Sequence, residues 1–205
     1  MSGLLAVLAN FVTSTISTLG LLGILGLSTL ESTGIPVPSE VILPFGGFLA
    51  STGRFAFWWV VIMGTLGNLL GSLIAYEVAR RGGRPLVEKY GRAILLSKHD
   101  LDRADRWFQR QGALTVFIGR LLPIIRTYIS FPAGLAEMPL GSFIGWTTLG
   151  AFLWSWLLAY LGFQAGSNWE YLRARFHGFD TVILVVIVAT IIWWIWRHVK
   201  ERQAA

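Results

Sequence analysis

Residues 4–30 carry no charged side chain, and three further runs, 55–79, 140–164 and 179–197, are almost as apolar. About 20 residues of helix cross the hydrocarbon core of a bilayer. A backbone placed there has no water to bond to and must satisfy its own donors and acceptors, which long apolar runs do by forming helices. Charged residues make up 14% of the chain, against about 25% in a soluble domain, too few to cover a water-facing surface. The expected fold class is therefore all-α integral membrane, one membrane domain over 1–205.

The charges present are unevenly placed. Of 17 Lys and Arg, nine lie between Arg80 and Arg110, and Arg197, Lys200 and Arg202 crowd the C-terminal tail. Beside membrane spans such clusters mark cytoplasmic segments rather than a nucleic-acid surface. The connection 80–112 and both termini are thus expected in the cytoplasm. There are no cysteines, and His99, His177 and His198 stand far apart, so no cofactor or metal is expected. No cleavable signal peptide is visible. Walker, HExxH and GxSxG patterns are missing too, which points away from nucleotide-driven pumping and from zinc or serine hydrolysis; an enzyme is not expected.

Within 4–30 the first half holds Thr13, Ser14, Thr15, Ser17 and Thr18, and is expected at the interface before a span beginning near Leu19. Run 55–79 carries Gly64, Gly67 and Gly71, small-residue spacing that suits close helix packing. The last run, 179–197, leads into WWIWRHVK, tryptophans at headgroup level followed by the basic tail. In the connection, Ser97-Lys98-His99-Asp100 resembles a capping box, with Leu101, Ala104 and Phe108 on one face of the amphipathic helix that follows.

Two segments resist a simple span. Residues 34–53 (GIPVPSEVILPFGGFLASTG) and 113–138 (ALTVFIGRLLPIIRTYISFPAGLAEM) are apolar but interrupted by proline and glycine. Proline removes a backbone donor and clashes with the preceding turn. At membrane depth such breaks persist only in protein or along a wet cavity, so two re-entrant hairpins entering from opposite sides are expected. Segment 44–76 also resembles 131–160: each has a Pro, a Gly turn, a Leu-Ala step and a span ending in Ala-Tyr. Halves 19–79 and 113–164 would then form an inverted repeat, a transporter architecture.

The hairpins differ in charge. Glu31 and Glu40 belong to the first, Arg120 and Arg126 to the second. A lone charge at the bilayer centre costs about 2.5–3.5 kcal/mol on insertion scales, and opposed tips that bring the four together would offset it. The four charges could simply clamp one hairpin to the other. They also suit transport: guanidinium forks match phosphate oxygens, and a carboxylate between an apolar medium and an arginine is poised to exchange a proton. Arg120 and Arg126 are expected to bind a lipid phosphate, with Glu31 and Glu40 in proton coupling. Asn68, Ser72, Thr127 and Tyr128 are candidates for the cavity lining, whereas Glu77 and Glu137 flank spans at the interface.

Glu31-x-x-Gly34-x-Pro36-x-Pro38-Ser39-Glu40, Gly119-Arg120 with Pro123 and Arg126, then Ala133-Gly134 and Met138, together resemble the DedA family of bacterial inner-membrane proteins, part of the wider SNARE-associated or VTT-domain group. The similarity covers about residues 20–165. It implies that the acidic and arginine pairs are essential, here Glu31, Glu40, Arg120 and Arg126. It also implies a multi-pass protein that recycles undecaprenyl phosphate across the membrane under proton-motive force. Transport of another phospholipid, small-cation or drug–proton antiport, and a non-transporting membrane-homeostasis role are the alternatives. The chain departs at Pro38-Ser39-Glu40, where family members more often carry Pro-Gly before the acid. Nothing in the sequence specifies an oligomeric state.

Overall fold

In the computed structural model, residues 2–35, 37–94, 114–123 and 125–166 are described, with side chains from Val7 onward and, in the longest helix, as far as Gly82. Every regular element among them is a helix: α1 (Ser2–Leu19), α2 (Leu21–Ser32), α3 (Ser39–Ser51), α4 (Phe57–Ile94), α5 (Leu114–Arg120), α6 (Ile125–Tyr128), α7 (Ser130–Leu135) and α8 (Leu140–Ala165). Two stretches, Phe57–Gly82 and Leu140–Ala165, are long and apolar enough to cross a membrane. They coincide with runs 55–79 and 140–164. The start of the basic connection continues α4 as helix to Ile94. The amphipathic helix expected after Ser97 and the span expected over 179–197 lie outside the described residues.

The span expected to begin near Leu19 is not one long helix. The chain turns at Gly20, whose φ of +62° disfavours a side chain, and α2 stops at Ser32 after 12 residues. At 1.5 Å per residue that is about 18 Å, short of a hydrocarbon core of about 30 Å. Before the turn, Thr13, Thr15 and Thr18 donate to the carbonyls of Ala9, Phe11 and Ser14, so α1 carries its hydroxyls without breaking.

Pro44 does not break the first odd segment either; it lies inside α3. Its missing donor frees one carbonyl, but the helix continues because α8 packs closely there, with Gly162 against the Pro44 carbonyl. The interruption falls earlier, between Ser32 and Ser39, where Gly34 has φ +99°. The first half therefore reads α2, break, α3, then the long α4. In the second half α5 ends at Arg120, a turn at Leu121–Pro123 follows, and α6 and α7 lead to the long α8. The break expected within 113–138 falls at Pro123.

Small residues decide which helices touch. Gly67 lies on the Leu25 carbonyl and Gly71 on the Thr29 carbonyl, seating α2 on α4; a Cβ at either position would collide with backbone. Gly47 meets the Ala159 carbonyl, seating α3 on α8, and Gly134 meets the Tyr76 carbonyl, seating α7 on α4. Close backbone approach of this kind drives helix association where lipid is as apolar as the side chains. Tyr76, Val116, Ala133, Met138 and Phe143 fill the space between α4, α5, α7 and α8. The Tyr76 ring stacks on Phe143 at 4.6 Å, and its hydroxyl donates to the Met138 carbonyl.

Candidate functional site

Each half carries its charges on either side of its break. Glu31 sits in the last turn of α2 and Glu40 in the first turn of α3; Arg120 ends α5 and Arg126 lies in α6. The packing of α2 and α7 on α4, and of α3 and α5 on α8, brings the two breaks together.

Arg126 stands at the centre, 4% exposed. Its Nη2 donates both to Glu31 Oε1 and to Ser39 Oγ, and lies 3.8 Å from Glu40 Oε1. Glu31 is as deeply buried, also 4% exposed, whereas the Glu40 side chain keeps 27% exposure and forms the wetter edge of the cluster. The Arg126 guanidinium also lies over the Trp154 ring of α8, 4.9 Å from its centroid.

Arg120, 2% exposed, is held differently. Its Nη1 donates to the Arg126 carbonyl at 2.9 Å, and its Nη2 to Ser72 Oγ and Ser130 Oγ, both at 2.6 Å. Its hydrogen bonds thus go to neutral oxygens rather than to a carboxylate. Gly150 leaves the space that the Arg120 side chain occupies against α8. The network extends further: Ser72 donates to the Asn68 carbonyl, and Ser32 donates to Asn68 Oδ1 at 2.7 Å. Residue by residue, hydrogen bonds therefore link Ser32, Asn68, Ser72 and Arg120 to the main-chain carbonyl of Arg126.

The four ionisable residues expected in one place are together. Asn68 and Ser72 also belong to the network, Asn68 as a link between α2 and α4 and Ser72 as an acceptor for Arg120. Thr127 is half-buried beside Arg126, while Tyr128 is 54% exposed with its ring near Gly34. Among the described residues, Tyr128 makes no hydrogen bond within the cluster. Ser39, Ser130 and Trp154 were not anticipated. Ser130, ten residues after its partner Arg120, has no local spacing to mark it; Ser39 adjoins Glu40; nothing in the apolar run of α8 distinguishes Trp154 from its neighbouring tryptophans.

Several buried polar atoms here find no hydrogen-bond partner among the described residues. They are Glu31 Oε2, the Nε atoms of Arg120 and Arg126, Trp154 Nε1 and, on adjoining helix turns, the hydroxyls of Ser28, Thr147 and Ser155. Leaving such a group unsatisfied costs about 1–3 kcal/mol, more when charged. Both guanidinium groups are anchored through their Nη atoms, and the Nε of each has no partner among the described residues. Among the described residues no three His, Cys, Asp or Glu gather as a metal site would require.

Residues 37–164 match the model of the VTT domain. The undecaprenyl phosphate transporter A of Bacillus subtilis is 38% identical over 168 residues, 82% of this chain and 84% of that protein. An alkaline phosphatase-like protein of Lactococcus lactis is 37% identical, covering 86% of this chain and 85% of its own length. The membrane protein YkoX of Bacillus subtilis is 32% identical over 82% of this chain and 76% of its own. No solved structure matches the chain with significance.

Proposed function

We propose, from the premise that this chain belongs to the VTT-domain (DedA) family, that it carries a lipid phosphate of the undecaprenyl phosphate class across the bacterial inner membrane together with a proton. The observation that carries this is the double engagement of Arg126, whose one guanidinium serves Glu31 and Ser39 in a buried setting and has Glu40 close by. Carboxylate and phosphate would compete for the same fork. Protonating Glu31 would remove its claim on Arg126 and release the guanidinium to the phosphate; deprotonation would return it and expel the lipid. Glu31, buried and directly paired, would be the switch, and Glu40, partly exposed, its route to water. Arg120, bonded only to neutral oxygens, would supply a standing positive charge. The isoprenoid tail could remain in lipid.

The same proposal includes the membrane arrangement: one domain over 1–205, both termini cytoplasmic, and segments 34–53 and 113–138 dipping back from opposite faces within the halves of an inverted repeat. Reciprocal packing supports it. Gly47 of the first half rests on the Ala159 carbonyl of α8, and Gly134 of the second half on the Tyr76 carbonyl of α4. Each broken segment thus leans on the other half's long helix, near the Ala-Tyr pair that both long helices share. Opposed broken helices meeting near the midplane suit alternating access.

The deciding experiment follows the leaflet distribution of undecaprenyl phosphate in proteoliposomes with and without a pH gradient. Wild type should redistribute the lipid faster with the gradient, and Glu31→Gln should lose that acceleration. Equal rates for the two under a gradient would remove the proton from the mechanism.

A further inference from the structure

Arg126 has partners in both halves of the fold. Glu31, Ser39 and Glu40 belong to the first; the Trp154 ring, on α8, belongs to the second, the half that also contains Arg126 on α6. When the carboxylates let go, an unpaired guanidinium would be left in an apolar interior unless something else held it. An aromatic face within about 6 Å is attractive to a cation and gains strength where water is scarce, with indole the best of the rings. Helical register makes this placement specific. Gly150 lies against Arg120 and Trp154 beneath Arg126, four residues apart and so on one face of α8.

The ring has an edge as well as a face. Trp154 Nε1 is buried and has no partner among the described residues, as is true of the Nε atoms of Arg120 and Arg126. Indole N–H only donates, so a complement to it must be an acceptor. An anion held by Arg126 beside the ring would offer an oxygen acceptor to this N–H.

We infer that Trp154 is a second anchor for Arg126: its face holds the guanidinium while Glu31 is released, and its N–H donates to the anion that Arg126 then takes. This rests on the lipid-phosphate function proposed above.

Two substitutions separate face from edge. Trp154→Phe keeps a ring and removes the donor; Trp154→Leu removes both. In the undecaprenyl phosphate proteoliposome assay, Trp154→Phe should raise KM about tenfold with kcat nearly kept, as expected for one lost hydrogen bond to a charged group. Trp154→Leu should lose kcat as well. Purely structural packing would lower the melting temperature of both variants and leave KM of the active one unchanged. A Trp154→Phe KM within about twofold of wild type overturns the donor role, and a Trp154→Leu kcat equal to that of Trp154→Phe overturns the anchoring role. Should Trp154→Leu not fold, Trp154→Phe alone still decides the donor. Arg126→Ala, measured alongside, distinguishes the two levels. If it transports like wild type, the lipid-phosphate function falls and this inference with it. If it is inactive while Trp154→Phe matches wild type, only the role of Trp154 falls.

Discussion

Arg126 and Glu31 are 95 positions apart in the chain and meet through a buried hydrogen-bonded ion pair. Removing one partner of a buried pair strands the other and costs about 3–5 kcal/mol. Glu31→Ala and Arg126→Ala should each lower the detergent melting temperature markedly, and the double variant should be less destabilised than the sum of the two. Additive losses in that cycle would mean the pair is not coupled.

Exchanging the partners separates a clamp from a transport site. Glu31→Arg combined with Arg126→Glu keeps opposite charges facing each other and should recover much of the stability lost by either single change. Transport should stay lost, because the guanidinium no longer sits beside Arg120 and Trp154. Transport regained with stability would make the pair merely structural.

Arg120 spreads two nitrogens over Ser72, Ser130 and the Arg126 carbonyl. A lysine ammonium is a point charge and cannot reproduce that fork. Arg120→Lys should therefore lose more than tenfold in kcat/KM, the scale of one charged hydrogen bond. Ser72→Ala should fall between Arg120→Lys and wild type. Transport by Arg120→Lys at the wild-type rate would show that charge alone suffices.

Glycines on α2 and α4 give a test of the fold without touching the charges. Gly67→Ala places a methyl against the Leu25 carbonyl and should destabilise by about 1–3 kcal/mol, whereas Gly26→Ala, with open space around it, should be neutral or slightly stabilising. Thermal melting of the two variants side by side checks the difference. Equal effects would mean α2 does not lie on α4 at Gly67.

Much of this arrangement was legible in the chain because charge in an apolar run is conspicuous. Glu31, Glu40, Arg120 and Arg126 stand out since each needs compensation, and Gly64, Gly67 and Gly71 mark a packing face by spacing alone. The limits were equally physical. Hydropathy does not register a single change of φ at Gly20, so α1 and α2 read as interface plus one span. Pro44 looked like a break, but a proline's local cost is outweighed where a neighbouring helix packs against it, and the interruption moved to the residues before Ser39. Ser39, Ser130 and Trp154 gained importance only through what the tertiary fold set beside them; serine and tryptophan are common enough in this chain to carry no signal of their own. Tyr128, two residues after Arg126, is half-exposed with its ring at Gly34 and makes none of the hydrogen bonds that hold the cluster. Tyr128→Phe should accordingly leave lipid transport unchanged.

The proposed competition for Arg126 would have a direct thermodynamic signature in proton uptake. Purified protein in weakly buffered detergent, titrated with undecaprenyl phosphate, should take up protons as the phosphate displaces Glu31 and the freed carboxylate is neutralised. Subtracting the same titration of Glu31→Gln removes the protons that belong to the lipid itself. A clear excess uptake by wild type is the predicted result; identical proton uptake by wild type and Glu31→Gln, with the lipid bound by both, would contradict it.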